Sequence, residues 1–344
     1  MSGGLNADTT ARVRPVRVTF TGFERFWMQA LVDGLSSRHS DVLDCSWALW
    51  PSTWQERVRF ARAMLRSDVV VRVGMPFEFE SETNRFWLRW VLHSRRIQGV
   101  NYWIGNDSWS YMRRAGAQRT EDEHRAIRGL THFAATENIA AALGKSGVPA
   151  ETVYFPSPDQ DVPVEPPPYP ARFGVLSYWR DQGWEYSSGP EIMAAARRLP
   201  DVDFDVVGAT GAGISDVPKN LRFHGRVSRM TLMYSRSVVL VRMVQWDAVP
   251  GAMVEEALLY ARQAIYSFVF PHTTFVAHRD EEGLVAELSR LRDAFVRGEL
   301  GLNLEGRAFM LESWRPDAHW AYMCGRLLAI ARHPVGDRGA SRTQ

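Results

Sequence analysis

Short apolar runs alternate with helical patterns along most of the chain. In the first half, apolar runs predict strands at 16–20, 69–73, 100–104 and 131–135. Apolar residues at helical spacing predict helices over 25–35, 57–65, 84–95 and 137–146. Strands that alternate with helices are typical of parallel α/β sheets. A doubly wound domain is therefore predicted, which opens with strand 16–20 and a glycine turn at Gly22.

A second series of the same kind follows a proline-rich, acidic segment at 156–170. No packed element fits that composition, so it predicts a stiff linker. Beyond it, strands are predicted at 173–177, 203–207, 238–241 and 264–270, and helices at 190–199, 229–235, 305–314 and 316–331. The predicted organisation is an N-terminal Rossmann-like domain (1–158), a linker (159–172), a second Rossmann-like domain (173–315), a final helix (316–332) and a disordered tail (333–344).

Composition narrows the functional classes only slightly. A net charge of +2 gives no reason to expect a nucleic-acid partner. The two cysteines, Cys45 and Cys324, are far apart and form no metal-type cluster, so reduced thiols in a cytoplasmic protein are expected. The first 17 residues contain no secretion signal, and no run approaches the ~20 apolar residues of a spanning helix.

One segment leaves a peripheral membrane contact open. Residues 86–96 interleave aromatic residues with arginines, a pattern that can lie on an anionic membrane at its inner face and reach a lipid-linked acceptor. The favoured alternative is an aromatic stripe that packs into the core.

The most informative segment for function is 240–267, where a strand leads through an acidic loop into a helix. The loop carries Asp247 and Pro250-Gly251, and the helix opens with Glu255 and Glu256. A helix N-terminus offers free N–H groups and a partial positive charge to a diphosphate. A carboxylate beside it can accept two hydrogen bonds from the vicinal hydroxyls of a ribose. The segment therefore suits a nucleotide-sugar.

This segment resembles the C-terminal signature of the family-4-like glycosyltransferases of bacteria, which have the GT-B fold. The signature is an acid, seven residues, a glutamate, then Ala, an apolar residue and a Gly-x-Pro-Val-Ile-like strand entry. Counted forward from Asp247, the glutamate is Glu255; counted back from the strand entry at 261–265, it is Glu256. The two side chains point about 100° apart on a helix, so only one can face the ribose, and Glu256 is favoured. The alternative is that both are solvent-facing charges that complement the helix dipole.

Segments 131–156 and 206–241 also resemble this family, so the likeness covers roughly residues 130–330. It implies an α/β protein of the GT-B fold, with two Rossmann-like doubly wound domains facing a cleft and a last helix that crosses back to the first domain. The N-terminal domain would bind the acceptor, and the C-terminal domain a UDP- or GDP-sugar. It implies a metal-independent enzyme, with the nucleotide-sugar as donor substrate and no cofactor.

The resemblance also assigns a basic residue to the diphosphate. Arg180 follows strand 173–177 where relatives place that residue, and an arginine fork there could neutralise charge on the leaving nucleotide. The lysine that usually follows is missing, so either Arg180 acts alone or Arg226 or Arg242 takes over. A solvated surface arginine is the alternative for Arg180.

In the first domain, the candidate general base is Asp107. It ends the run Trp103-Ile104-Gly105-Asn106-Asp107, which resembles the Trp-Ile-Gly-x-Asp of some bacterial relatives. A carboxylate past the end of a strand can meet an acceptor hydroxyl, as an inverting enzyme requires. The alternative is an Asp that caps a helix over 108–115. Gly22, Glu24 and Gly74 are expected to line the same cleft.

Two glycine and aspartate motifs are weaker signals. Gly208, Gly211 and Gly213 follow a strand, but no helix follows them, so dinucleotide binding is rejected and a sugar-nucleotide loop or a plain turn remains. Asp203 and Asp205 form a D-x-D at the start of a strand, where charge at a strand edge is favoured over a metal site.

The function expected from these residues is transfer of a sugar from a nucleoside-diphosphate sugar to a hydroxyl acceptor. The acceptor would be a glycan, a lipid-linked intermediate or another small molecule such as a natural product. A nucleotide-sugar epimerase of the same fold and a non-catalytic GT-B-like binding protein are the alternatives.

Overall fold

The computed structural model describes residues 14–22, 25–51, 53–74, 97–113, 129–155, 162–314 and 316–332. The chain forms two compact units, one of residues up to Pro158 together with those from Asp317 onward, the other Asp159–Pro316. Each unit contains a six-stranded sheet in which all paired strands are parallel. The predicted α/β class with two doubly wound sheets is confirmed.

The sheet of the first unit has the order β2-β1-β3-β4-β5-β6. Its strands are β1 Val16–Gly22, β2 Leu43–Leu49, β3 Val69–Val73, β4 Gln98–Trp103, β5 Thr131–Ala134 and β6 Glu151–Thr152. Its helices are α1 Arg25–His39, α2 Trp54–Arg66, α3 Asn106–Arg113 and α4 Glu137–Lys145. Every residue of β3, four valines and Arg72, is buried, as expected for a central strand covered on both faces.

The last helix, α10 (Pro316–Arg332), completes the first unit. Its Trp320 is buried against Gly34 of α1, where any side chain on the glycine would collide with the indole. Tyr322 and Arg326 both donate to the Glu151 carboxylate, at 2.6 and 2.7 Å. Residues more than 170 positions apart in sequence thus belong to one compact body.

The sheet of the second unit has the order β12-β11-β10-β7-β8-β9. Its strands are β7 Gly174–Tyr178, β8 Asp203–Val207, β9 Leu221–Phe223, β10 Val239–Arg242, β11 Gln263–Tyr266 and β12 Thr274–Phe275. Its helices are α5 Gly189–Arg198, α6 Met230–Arg236, α7 Ala252–Leu259, α8 Glu281–Val296 and α9 Leu304–Ser313, with a 3₁₀ turn at Trp184–Ser187.

Alternate residues of these strands enter two separate apolar clusters. Val175, Val206 and Val241 belong to the cluster that α5 and α8 cover, whereas Leu176 and Leu240 belong to the one that α6, α7 and α9 cover. Because successive side chains of a strand point to opposite faces, the two clusters lie on the two faces of the sheet. Because the helices cover the two faces of the sheet, the segments at the carboxyl ends of the strands are loops.

The described part of the proline-rich segment, 162–170, contains no helix or strand, but it is held against the second unit. Arg307 donates to the carbonyls of Pro163 and Val164, and the buried Arg262 donates to those of Pro167 and Pro168. The Tyr169 hydroxyl donates to the Gly301 carbonyl at 2.9 Å. These arginines satisfy carbonyls that a run without a regular hydrogen-bond ladder leaves unpaired.

Several boundaries differ from the sequence prediction. Strand β2 and helix α8 were not predicted. The strand predicted at 264–270 ends at Tyr266, because its neighbour β10 ends at Arg242, the register partner of Tyr266. The helix predicted at 84–95, the membrane-contact segment 86–96 and the tail 333–344 lie outside the described residues. None of the helices in the described part of the chain has the length and hydropathy that crossing a bilayer requires.

Candidate functional site

In each sheet, the strand order contains one point where the direction of strand addition reverses. In the second unit the chain runs outward from β7 to β8 and β9, then returns to form β10 on the other side of β7. In the first unit it runs from β1 to β2, then forms β3 on the other side of β1. Open parallel sheets bind ligands outside the carboxyl ends of the strands at such a switch point. The segments that follow β7 and β10 are therefore the first candidates in the second unit.

Two arginines flank this switch point. Arg180 lies two residues past β7 and is exposed, and Arg242 is the last residue of β10, with its guanidinium 5.7 Å from the centre of the Tyr178 ring. Tyr186 lies near both, and its hydroxyl donates to the Trp246 carbonyl. Burial, then the charge of Asp247, raise the pKa of Tyr186 to about 12 against the opposing effects of Arg242, Trp246 and Arg180. The tyrosine is neutral and serves as a donor.

Asp247 lies at the switch point, but its carboxylate is bound by protein groups. The Arg242 guanidinium donates to it through Nε at 3.0 Å and Nη2 at 3.1 Å, and the Tyr266 hydroxyl and the Ala248 N–H each donate at 3.1 Å. Burial disfavours the Arg242 charge, yet the Asp247 carboxylate outweighs it and raises the arginine pKa. A two-point ion pair of this kind orients both partners. Arg242 and Asp247 thus hold the loop between β10 and α7.

Gly251 begins α7 directly beside that ion pair. A Cβ at Gly251 would lie 2.4 Å from Asp247 Oδ2, so the loop needs a glycine here. Its carbonyl accepts the N–H groups of Val254 and Glu255 at 2.8 and 3.2 Å, and no side chain caps the helix. The earlier N–H groups of the first turn have no acceptor within a helix, and the helix dipole adds partial positive charge there. The N-terminus of α7 therefore carries N–H donors and partial positive charge beside the switch point.

Both glutamates of α7 are buried, so the alternative that both are solvent-facing charges is wrong. Glu255 Oε1 accepts a hydrogen bond from Trp314 Nε1 at 2.5 Å, beyond the end of α9. Glu256 Oε2 accepts one from the Tyr234 hydroxyl of α6 at 2.6 Å. The two carboxylates therefore point to different neighbours, as their 100° separation on the helix requires.

The backbone after α7 bears on the alignment of the two glutamates. Ala261 has a φ of +54°, in the left-handed region that favours glycine. It is the first residue of segment 261–265, which aligns with the strand entry of the signature, and the first residue of that entry is glycine. The backbone conformation at Ala261 thus agrees with the count back from the strand entry, which selects Glu256.

The glycine loop after β8 packs on the loop after β7. Gly208 has a φ of +90°, and a Cβ there would lie 2.4 Å from the Trp179 carbonyl oxygen. The Asp181 carboxylate accepts hydrogen bonds from the Thr210 N–H and hydroxyl at 2.6 and 2.9 Å. The glycine loop therefore has a structural role as a turn, whether or not it also contacts a ligand. Arg226 is exposed beyond the edge strand β9, whereas Arg242 lies beside the switch point.

The D-x-D aspartates contact basic residues on and near the edge strand. Asp203 pairs with Arg222 at 2.7 Å and with Arg172 at 3.3 Å, and Asp205 pairs with His224 at 2.7 Å. Strand β8 itself is not at the edge, because β9 covers it. No group of His, Cys, Asp and Glu in the described residues could hold a metal ion.

In the first unit, Gly22 ends β1 and Gly74 follows β3, so both flank the switch point of that sheet. A Cβ on Gly22 would lie 2.8 Å from the Val73 carbonyl oxygen, which makes this close approach of β1 to β3 dependent on glycine. Glu24 lies outside the described residues.

Asp107 follows the next strand, β4, and is buried as the second residue of α3. Its Oδ1 accepts the N–H groups of Ile104 and Gly105 at 3.2 and 2.9 Å, and Oδ2 accepts no hydrogen bond within the described residues. The alternative of an N-cap for a helix at 108–115 is wrong, because α3 begins at Asn106, before the aspartate. Burial raises the pKa of Asp107 to about 6, against the backbone hydrogen bonds and the charge of Arg72.

A buried polar row beside Asp107 was not predicted. Thr21, Arg72, Asn101 and His132 are register partners on β1, β3, β4 and β5, and all four are buried. Arg72 donates to the Asn101 side-chain oxygen at 2.8 Å. An arginine within the run Val-Val-Val-Arg-Val is the signal in the sequence, because a buried charge requires polar partners. Sequence reasoning also missed Tyr186, Tyr234 and Trp314, whose polar tips find partners only in the folded chain.

Comparison with known proteins agrees with this architecture. No protein-family model matches the sequence, and no curated protein matches it. Among solved structures, the Anabaena protein Alr3699/HepE in complex with UDP-glucose is similar with a TM-score of 0.69 at 10% identity, over 91% of this chain and 99% of that one. A glycosyltransferase from Rickettsia africae is similar with a TM-score of 0.65 at 8% identity, over 93% and 100%.

The chain has the GT-B fold. A further GT-B structure, the UDP-GlcNAc 2-epimerase from Neisseria meningitidis bound to UDP-GlcNAc, is similar with a TM-score of 0.52 at 10% identity, over 91% of this chain and 99% of that one. GT-B proteins with these two different activities thus share the architecture of this chain, so its chemistry must be argued from its own residues.

Proposed function

We propose that the protein is a glycosyltransferase that moves a sugar from a nucleoside-diphosphate sugar to a hydroxyl acceptor. The observation that carries the proposal is the pair of buried carboxylates, Glu255 and Glu256, in a helix whose uncapped N-terminus follows the switch point of the second sheet. Complexes of the GT-B proteins named above with UDP-glucose and UDP-GlcNAc support a UDP-sugar donor, and GDP remains the other nucleotide to test.

In the proposed donor site, the first-turn N–H groups of α7 bind the diphosphate. Glu256 accepts hydrogen bonds from the ribose hydroxyls, with its carboxylate oriented by Tyr234. Arg180 neutralises the charge that develops on the departing diphosphate. Asp247 contributes indirectly, since its carboxylate fixes Arg242 and the loop that ends at Gly251.

For an inverting transfer, Asp107 is the proposed general base. Its carboxylate takes the proton from the acceptor hydroxyl while that oxygen attacks the anomeric carbon. The bond from that carbon to the diphosphate breaks, and its electron pair leaves with the nucleotide. A carboxyl with a pKa of about 6 is ionised at neutral pH and is more basic than an exposed aspartate. The proposed acceptor is a glycan, a lipid-linked intermediate or another small molecule with a free hydroxyl.

Calorimetric titration of the protein with UDP, GDP and their sugars tests the donor site. We expect one nucleoside diphosphate, UDP or GDP, to bind, and the corresponding nucleotide-sugar to bind with comparable affinity. No heat with any of them would reject the donor site. Binding followed by no turnover with any acceptor in a broad hydroxyl panel would instead identify a GT-B-like binding protein.

The second candidate is a nucleotide-sugar epimerase, favoured by the structural similarity to the Neisseria enzyme over nearly its whole length. An epimerase needs no acceptor. Incubation with the donor alone would then yield free nucleotide and an altered sugar, whereas the glycosyltransferase requires an acceptor to release nucleotide at an appreciable rate.

A further inference from the structure

Helix α2 of the first unit exposes an apolar stripe that the described residues of the chain leave uncovered. Trp54, Val58 and Leu65 are 69%, 36% and 51% exposed. At about 100° per residue, the three positions lie within ~40° of one another around the helix axis. A different face of the helix packs into the first unit: Phe60 and Met64 are buried, and Phe60 stacks on Trp50 with ring centres 5.2 Å apart. The exposed stripe is therefore not needed to hold the helix on the sheet.

Exposed arginines border this stripe on one side. Arg59, Arg62 and Arg66 are exposed at roughly 80–140° from Trp54 around the axis, whereas Arg57, at about 60° on the other side, is half-buried. None of the four forms an ion pair within the described part of the chain, in contrast to the arginines of α8. The surface is therefore apolar along its centre and positively charged along one margin.

The helix is also formed before any partner arrives. The Thr53 hydroxyl accepts the Glu56 N–H at 3.3 Å, and the Glu56 carboxylate accepts the Thr53 N–H at 2.9 Å. This capping box satisfies two N–H groups of the first turn, and it engages the only acidic residue of the helix. Binding through this face would thus cost little conformational entropy.

We propose that the exposed face of α2 docks the protein onto an anionic lipid surface. A helix with Trp and Leu on one stripe and arginines beside it lies in the plane of a membrane interface, with the apolar side chains among the acyl chains and the guanidinium groups at the phosphates. Arginine side chains can extend to the headgroups while their stems stay on apolar surface. This face contains none of the residues proposed to hold the nucleotide.

Charge complementarity selects this occupant over a second copy of the chain. Two such faces placed together would oppose six exposed arginines with no acidic partners from the helices except Glu56, which is engaged in the cap. A neutral apolar partner would leave the guanidinium groups without counter-charges. An anionic bilayer supplies both the apolar layer and the phosphates.

Flotation with vesicles tests the proposal on the full chain. We expect binding to phosphatidylcholine vesicles that contain phosphatidylglycerol, little binding to phosphatidylcholine alone, and release as salt concentration rises. The triple variant R59Q/R62Q/R66Q should bind about a hundredfold more weakly, at about a factor of five for each charge. Trp54→Ala should weaken binding about tenfold, and Trp54→Phe should restore part of it.

The matched control removes the same charge from the other unit. The variant R290Q/R292Q/R297Q on and just after α8 should bind vesicles like the parent protein. Thermal melting and calorimetry with the bound nucleotide should be the same for the α2 variants as for the parent, which separates this docking surface from the donor site. Parent-like vesicle binding by the α2 variants, or equal binding to neutral vesicles, would overturn the proposal. So would a Trp54-dependent dimer that does not bind vesicles.

Discussion

Arg242 and Asp247 form a partly buried two-point ion pair between the last residue of one strand and the loop that leads to the next helix. Asp247 aligns with the acid of the signature that segment 240–267 resembles, and its oxygens accept hydrogen bonds from the arginine, Tyr266 and Ala248. Its role here is to set the geometry from which α7 starts.

Asp247→Asn should destabilise the second unit by up to about 3–5 kcal/mol, because it leaves the partly buried Arg242 charge without a counter-charge. Arg242→Met with Asp247→Asn should cost less than the two single changes together, since the double variant buries no unpaired charge. Urea denaturation measures both. Glu282→Gln, which breaks the exposed pair with Arg198, is the control and should leave the transition unchanged. Additive losses in the double variant would contradict the coupling.

Glu255 and Glu256 offer a matched pair for the ribose contact. Glu256→Gln should weaken nucleotide binding about 10- to 100-fold, because it removes charge-assisted hydrogen bonds worth about 1.5–3 kcal/mol. Glu255→Gln should retain most of the affinity, since its partner is Trp314. Calorimetry with the nucleotide that binds the parent protein decides between them. The reverse order of affinities would assign the ribose to Glu255.

Asp107 should make stability depend on pH in a defined window. Its pKa of about 6 in the folded protein lies above the ordinary carboxyl value near 4, so the folded state holds this proton more tightly than the unfolded chain does. The contribution of Asp107 to the free energy of unfolding is therefore present below pH 4, falls as the pH rises to about 6, and stays low above it.

Asp107→Asn should remove that dependence and raise the free energy of unfolding at neutral pH by up to about 3 kcal/mol. The same variant should lower transfer about 10²- to 10⁴-fold if the carboxylate is the base. Denaturation at a series of pH values and initial rates with saturating donor measure the two effects. Asp41→Asn, at an exposed position, is the control. A stable variant with full activity would leave Asp107 only its loop contacts with Ile104 and Gly105.

Replacement of Ala261 by glycine should lower the stability of the fold less than the same replacement of an alanine within a helix. Its φ of +54° costs an L-residue about 1–2 kcal/mol, which a glycine avoids at the expense of a more flexible unfolded chain. Ala261→Gly should therefore be neutral or stabilising by up to about 1 kcal/mol. Ala257→Gly, inside α7, should destabilise by about 1 kcal/mol or more. Equal losses measured by thermal unfolding would remove the support that Ala261 lends to the alignment on Glu256.

The alternation of apolar strands and amphipathic helices was sufficient to predict the two doubly wound sheets. Strand 69–73 has the predicted bounds, because buried parallel strands are nearly continuous apolar runs. Strand 203–207 also has the predicted bounds, although two of its five residues are aspartates. Strand β2 escaped prediction because Asp44 and Ser46 interrupt its apolar residues at the edge of the sheet. Edge strands bury less, so their pattern is weaker.

The sequence by itself determined which residue types lie near the ends of the strands, since turns and helix starts are encoded locally by glycine, proline and acidic residues. Only the tertiary structure decided what those residues contact. Asp247 is bound by an arginine five positions earlier, Glu256 by a tyrosine on α6, and Glu255 by an indole beyond α9. Each contact forms because a buried carboxylate must find a donor, and packing between distant elements determines which donor is within reach.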